Sequence, residues 1–258
     1  MKIAVCIKQV PSTNEVRLDP VTNTIIRDGR QSVTNPFDTY AIEEAVRIKE
    51  KLGGEVTVLS MGIPAAESML RDACSRGADR GVLLSDRAFA GADTLATSYA
   101  LSLWCKDADL DLILCGKMAV DGDTAQIGPE LAEHLGIPHI TDVCEIQHID
   151  KNSVTVKKVT ASGFAHMKTS LPALLTVVKD INLPRMASIP GVRAGQAADI
   201  RIYTAADLGA DPDRCGLAGS PTQVVRTFVP VRDTHAIEID GAPQDKADAI
   251  LTLFREVK

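Results

Sequence analysis

The stretch Gly116-Lys117-Met118-Ala119-Val120-Asp121-Gly122-Asp123-Thr124-Ala125-Gln126-Ile127-Gly128-Pro129 has the residue types of a loop that holds an anion. Glycines and other small residues let backbone approach a ligand closely. Thr124 and Gln126 supply neutral hydrogen-bonding groups. A helix opening at Gly128 would add unpaired N–H groups and the positive end of its dipole. A plainer reading stays open, an Asx-type turn before a proline-started helix. The Asp-Gly-Asp within it lacks the ligand ladder of a calcium loop. A second candidate is Asn35-Pro36-Phe37-Asp38. Asn35 can bond a base or a backbone group, Pro36 fixes the turn, and Asp38 can cap a helix or meet a sugar hydroxyl. The third is Thr94, Thr97 and Ser98, on one side of a helix that Asp93 would cap. Their hydroxyls suit phosphate or sugar oxygens, or form a polar solvated stripe.

Other chemistry is disfavoured. The chain contains neither GxGxxG nor GxxxxGK[ST], so its phosphate site, if it has one, is built otherwise. It has no GxSxG, and its five histidines show no HExxH spacing. His134 reads as a solvent-facing helical residue. The six cysteines form no CxxC, which argues against zinc and iron–sulfur centres and fits small buried residues in a reducing cytosol. A net charge of −6 over 258 residues removes the electrostatic motive for binding nucleic acid. No apolar run approaches the roughly 18–20 residues of a membrane span, and Met1–Lys8 lacks the pattern of a signal peptide. A cytoplasmic protein is expected.

The elements that must position these residues follow from hydrophobic periodicity. Lys2–Lys8, Glu55–Met61, Gly81–Leu84 and Leu110–Cys115 are short and apolar on both faces, as in a parallel sheet covered on both sides. Helical patterns over Asp38–Leu52, Pro64–Arg76 and Ala92–Lys106, and from about Pro129 to Gly136, alternate with them. This predicts an α/β fold with an open, doubly wound, mostly parallel sheet. Val16–Asp19 and Thr24–Ile26 read as a hairpin inserted over about 10–34. Val143–Ile149 and Val154–Val159 flank the turn Asp150–Ser153, a second hairpin over about 143–159, and Leu174–Val178 is a further strand. Residues 180–241 show no sustained periodicity, and Asp245–Val257 recovers it through Ala249, Leu253, Phe254 and Val257. The expected organisation is therefore an α/β domain over 1–180, then a partner-recognition loop and C-terminal arm with a terminal helix over 181–258, an arm that wraps a partner or stays a mobile tail.

Several landmarks together carry a family resemblance: Val5-Cys6-Ile7-Lys8-Gln9-Val10, Asn35–Asp38 with Ala41–Ala45, Arg76–Gly81, Gly116-Lys117 with the Asp121–Gly128 loop, and Leu183–Pro190. Over residues 1 to about 200 the chain resembles the beta subunits of electron-transfer flavoproteins. The resemblance implies a fold of adenine-nucleotide-binding type and a heterodimer with an alpha subunit that carries a redox FAD. It places nucleotide contacts on Cys6, Asn35, Pro36, Phe37, Asp38 and Met61, and throughout the loop of Gly116, Lys117, Met118, Ala119, Val120, Asp121, Gly122, Asp123, Thr124, Ala125, Gln126 and Ile127. Cys6 and Met61 would act mainly through backbone atoms. The Asp121–Gln126 wording and the Gly91–Ser98 segment resemble the electron-bifurcating members. In those, an FAD on this subunit takes hydride from NADH, and Thr94, Thr97 and Ser98 join its site. One electron then goes to ferredoxin or flavodoxin and the other to the alpha-subunit FAD and onward to a flavin dehydrogenase, of acyl-CoA or similar type. The alternative within the family is a structural AMP in the same place. Pro184–Gln196 resembles the segment that grips the dehydrogenase, with Ile189 as its apolar anchor.

Overall fold

A computed structural model describes residues 1–12, 32–225 and 238–256 of the chain. In chain order it begins with strand Lys2–Cys6 (β1) and an antiparallel pair, Gln9–Pro11 (β2) and Ser32–Thr34 (β3). Helix Pro36–Leu52 (α1), strand Glu55–Met61 (β4), helix Glu67–Ser75 (α2) and strand Arg80–Leu84 (β5) follow. Next come helix Thr94–Asp107 (α3), strand Leu112–Gly116 (β6) and helix Ile127–Leu135 (α4). Strands His139–Ile149 (β7), Ser153–Thr160 (β8), Gly163–Ser170 (β9) and Ala173–Val177 (β10) lead to helix Ile189–Ala197 (α5) and strand Ile200–Tyr203 (β11).

One sheet runs β11-β5-β4-β1-β6-β10-β7-β8-β9. It is parallel from β11 through β7 and antiparallel across β8 and β9. This is the expected open α/β architecture. The alternation of side chains along a strand divides the core in two. Ile3 and Val5 of β1 pack with Ile42 and Val46 of α1 and Leu70 of α2. Ala4 and Cys6 pack on the other face with Leu101 of α3 and Leu131 of α4. With both faces covered, β1, β4, β5 and β6 need continuous apolar runs, which is why they were legible.

Three differences from the sequence reading have physical causes. Residues 181–223 belong to the first compact unit, Met1–Gln223, with β11 closing one edge of the sheet on β5. Ile200-Arg201-Ile202-Tyr203 is only four residues long, and its edge position leaves Arg201 and Ile202 exposed, so no apolar run marks it. Strand β9 escaped for the same reason, since it is solvated on both faces. Helix α4 opens at Ile127, two residues before the expected Pro129, and ends on left-handed Gly136. The two strands expected over Val16–Asp19 and Thr24–Ile26 lie outside the described residues, while β2 and β3 pair on either side of that segment. In the second unit, Val224–Lys258, helix Pro243–Glu256 (α6) covers the expected terminal helix apart from Val257, which is not described. Among the described residues no helix is long and apolar enough to cross a membrane, and no group of His, Cys, Asp and Glu could hold a metal ion.

Candidate functional site

The carboxyl ends of β1, β4 and β6 place Cys6, Met61 and Gly116 along one edge of the sheet, where ligands bind in open α/β folds. Asn35 closes this edge from the side. Its Nδ2 donates to the Met118 carbonyl at 2.9 Å and to Asp38 Oδ1 at 2.9 Å, while its Oδ1 accepts from Val120 N at 3.2 Å. Asp38 Oδ2 in turn accepts from Lys8 N at 2.7 Å. Asn35 and Asp38 are both buried. Neither side chain is free for a ligand. They tie the end of β1 to the start of the loop after β6. Asp38 is also not the cap of α1, which begins at Pro36 behind Asn35. Burial pushes the Asp38 carboxyl up to about 7, against the pull of hydrogen bonds from Asn35, Lys8 and Gly116.

Gly116 has its physical reason here. A Cβ at that position would collide with Asp38 Oδ1 and the backbone of Phe37, so only glycine lets β6 pass under the start of α1. Gly128 does the same for α4, because a Cβ there would strike Thr176 on β10. Between them, Val120, Asp121, Gly122, Asp123, Thr124 and Gln126 are exposed, whereas Lys117, Met118, Ala119, Ala125 and Ile127 are partly covered. Lys8 Nζ pairs with Asp121 Oδ1 at 2.6 Å and Lys117 Nζ with Asp142 Oδ1 at 2.8 Å, anchoring the loop at both sides. Asp123 and Ala125 adopt left-handed backbone, with φ of 53° and 56°, a strained conformation of the kind found at ligand-binding turns.

The third motif meets the first. Asp93 caps α3 as expected, accepting from Ala96 N at 3.1 Å. Thr94 Oγ1 donates to Gln126 Oε1 at 3.0 Å and lies 3.1 Å from Glu130 Oε1. Ser98 Oγ is 3.3 Å from Glu130 Oε2. Ser98 is fully buried and Thr97 partly so, which replaces the idea of a solvated stripe with a seam between α3 and α4. Burial pushes the Glu130 carboxyl up, with Thr94 and Ser98 pulling against it. Glu130 was not singled out from sequence, and its only signal was its place one helical turn past Gln126. His134, expected at the surface, instead meets the edge of the Tyr99 ring with centroids 6.1 Å apart. Burial, and Arg214 nearby, push its imidazole toward the neutral form.

Among the described residues, nothing at this edge resembles a nucleophile. Cys6 and Cys115 face each other in register on β1 and β6, and both are buried. The Cys6 sulfur beside it, together with burial, pushes the Cys115 thiol up, away from reactive thiolate. A concavity of about 400 Å³ lies at the opposite, amino-terminal edge, lined by Lys2, Thr57, Arg80, Trp104 and Tyr203 among others. Two of its cations are already engaged, Arg80 by Glu55 and Lys2 by Asp109, and the sheet's ligand edge is the other one.

A second surface is built after β10. Arg185 Nε and Nη2 donate to the buried Glu43 carboxylate at 2.8 and 3.1 Å, and its Nη2 also reaches Glu50 at 2.9 Å. Asn182 Nδ2 donates to Tyr40 O at 3.0 Å and Glu44 Oε2 at 2.9 Å. This clamp on α1 leaves Leu183, Met186 and Ile189 exposed at 88%, 90% and 77%. Ile189 is the first residue of α5, which Ser188 caps through Gly191 N at 3.1 Å.

Residues 22–208 match the family described as electron transfer flavoprotein domain. The chain belongs to that family. Its relatives place it with the beta subunits. It is 50% identical over 231 residues to an electron transfer flavoprotein subunit beta of Thermoanaerobacterium thermosaccharolyticum, covering 89% of this chain and 88% of the relative. It is 41% identical over 256 residues to the subunit of the same name in Clostridium acetobutylicum, covering 99% and 98%. A third relative, the caffeyl-CoA reductase-Etf complex subunit CarD of Acetobacterium woodii, is 47% identical over 232 residues, covering 89% and 88%. As an electron transfer flavoprotein beta subunit, the chain is a component of flavin-associated electron transfer.

Proposed function

We propose that this beta subunit pairs with an alpha subunit and holds an FAD at the carboxyl edge of its sheet, and that the pair splits electrons from NADH between ferredoxin or flavodoxin and a flavin dehydrogenase. The observation that carries the reading is the hydrogen bond from Thr94 to Gln126, which joins the α3 motif to the loop after β6. A site for AMP alone needs only the loop and the Asn35–Asp38 corner. A longer, flavin-bearing ligand needs the hydroxyls of α3 as well, and they stand next to that loop.

The residues fit such a group. Backbone of the Met118–Ala125 loop, fixed by Asn35, would contact the nucleotide portion, with Cys6 and Met61 presenting backbone at the strand ends. The first N–H groups of α4 would face phosphate. Thr94 and Thr97 would face the flavin end, and Ser98 would position Glu130. A bound flavin supplies the exchange between hydride and single-electron transfer, and the protein supplies its position and surrounding charge. Leu183, Met186 and Ile189 would form the docking surface for the dehydrogenase. The complex named for the Acetobacterium relative, in which an Etf subunit accompanies a reductase of a CoA thioester, supports a partner of that class.

The test is to purify the chain with its alpha subunit and count FAD and AMP per heterodimer after denaturation. Two FAD and no AMP are expected, with flavin reduction by NADH. One FAD and one AMP would overturn the bifurcating reading and leave an electron carrier with a structural nucleotide.

A further inference from the structure

Strand β9 ends the nine-stranded sheet, and among the described residues it pairs only with β8. One backbone contact sets its hydrogen-bonding phase. Leu171 N donates to Asn152 O at 2.9 Å, one step beyond the pair Ser153–Ser170. Bonded and non-bonded pairs alternate along an antiparallel ladder. The pairs Val154–Thr169, Val156–Met167, Lys158–Ala165 and Thr160–Gly163 therefore carry the bonds to β8. Phe164, His166 and Lys168 turn their N–H and C=O groups outward, toward the free edge.

Proteins keep such edges short, bulged, proline-bearing or covered, because a straight one templates another strand. This edge is eight residues long and its register with β8 is unbroken. Its outward residues also carry exposed side chains, as does Met167 on the other face. Phe164 is 61% exposed, with Lys157 Nζ 4.2 Å from its ring centroid, and His166 and Lys168 are exposed beside it. Residues 153–170 contain three lysines and no carboxylate, in a chain of net charge −6. Lysines guard an edge against neutral or basic strands and leave it open to an acidic one. A second copy of this chain would bring like charges together, which disfavours self-pairing.

We infer that an acidic, extended segment of the alpha subunit adds to β9 as a further strand, its carboxylates meeting Lys157 and Lys168 and an apolar side chain meeting Phe164. This rests on the heterodimer reading above.

The test measures the dissociation constant of the heterodimer, at low and high salt, for three variants. His166→Pro removes an outward N–H without touching the β8–β9 ladder. The double variant Lys157→Glu/Lys168→Glu reverses the charge through exposed side chains and keeps the test valid if the proline variant folds poorly. Lys51→Glu, exposed at the end of α1, is the control. Both edge variants are expected to weaken assembly at least tenfold, the charge reversal less so at high salt, with Lys51→Glu unchanged. Assembly of both edge variants within twofold of wild type would overturn the inference alone. Failure of the wild-type chain to pair with the alpha subunit would overturn the heterodimer reading together with it.

Discussion

The loop after β6 and the segment after β10 are both braced by α1, yet they present opposite surfaces. At the first, buried polar side chains, Asn35 and Asp38, hold backbone in place through their own hydrogen bonds. At the second, a charged clamp of Arg185 on Glu43 and Glu50 holds three apolar side chains out in water. A cofactor that is held permanently needs fixed N–H and C=O groups at set distances, which flexible side chains do not provide. A protein that docks and leaves needs apolar area kept from collapsing onto its own core. On the proposed reading one helix braces both, with its amino-terminal end at the first and its Glu43–Glu50 face at the second.

The contrast can be broken most severely at Gly116. Gly116→Ala forces a methyl into Asp38 and the Phe37 backbone, and should lower the unfolding free energy by about 3 kcal/mol while emptying the proposed nucleotide site. Urea titration and nucleotide content of the purified chain check it. Asn35→Ala should cost about 2–3 kcal/mol, since it strands a buried N–H, a carbonyl and a carboxylate together. Its docking surface should still bind the dehydrogenase. If docking falls as far as nucleotide content, the two regions are not independent.

Asp38 sharpens the comparison through pH. Its carboxyl sits at about 7 in the fold against 3.8 as a free side chain, so the folded protein binds the extra proton between those values. Stability should therefore fall as pH rises from about 4 to 7, by at most about 1.4 kcal/mol per unit. Asp38→Asn should flatten that slope in urea titrations across the window, and an unchanged slope would assign it elsewhere. Arg185 behaves oppositely, because Glu50 and Glu43 push its guanidinium still further from titration. Arg185 holds the Glu50 carboxyl below its ordinary value, so the clamp should be indifferent to pH above about 5 and weaken only as pH falls below that.

Effects at the docking segment are smaller for stability and larger for transfer. Arg185→Ala leaves Glu43 without its partner and should cost about 1–2 kcal/mol, with KM for the dehydrogenase raised about tenfold and flavin content intact. Ile189→Ala should leave stability unchanged within about 0.5 kcal/mol, because Ile189 is already in water. It should raise the same KM several-fold. An unchanged KM would remove Ile189 from the docking surface.

The sequence by itself determined the central parallel strands, the helices between them and the three motifs that converge at the carboxyl edge. Burial on both faces demands continuous apolar runs such as Glu55–Met61, and helix ends demand residues such as Asp93 and Gly136, so these features are written locally. Only the tertiary structure decided how the motif residues are used. Asn35 and Asp38 could equally have met a ligand, and the loop backbone of Met118 and Val120 claimed Asn35. Thr94 and Ser98 could equally have faced water, and Gln126 and Glu130 met them. Edge elements β9 and β11 were invisible because solvated strands need no apolar pattern. The side-chain donors and acceptors of a short polar residue are the same in every environment. Which partner satisfies them depends on what the fold brings within about 3 Å.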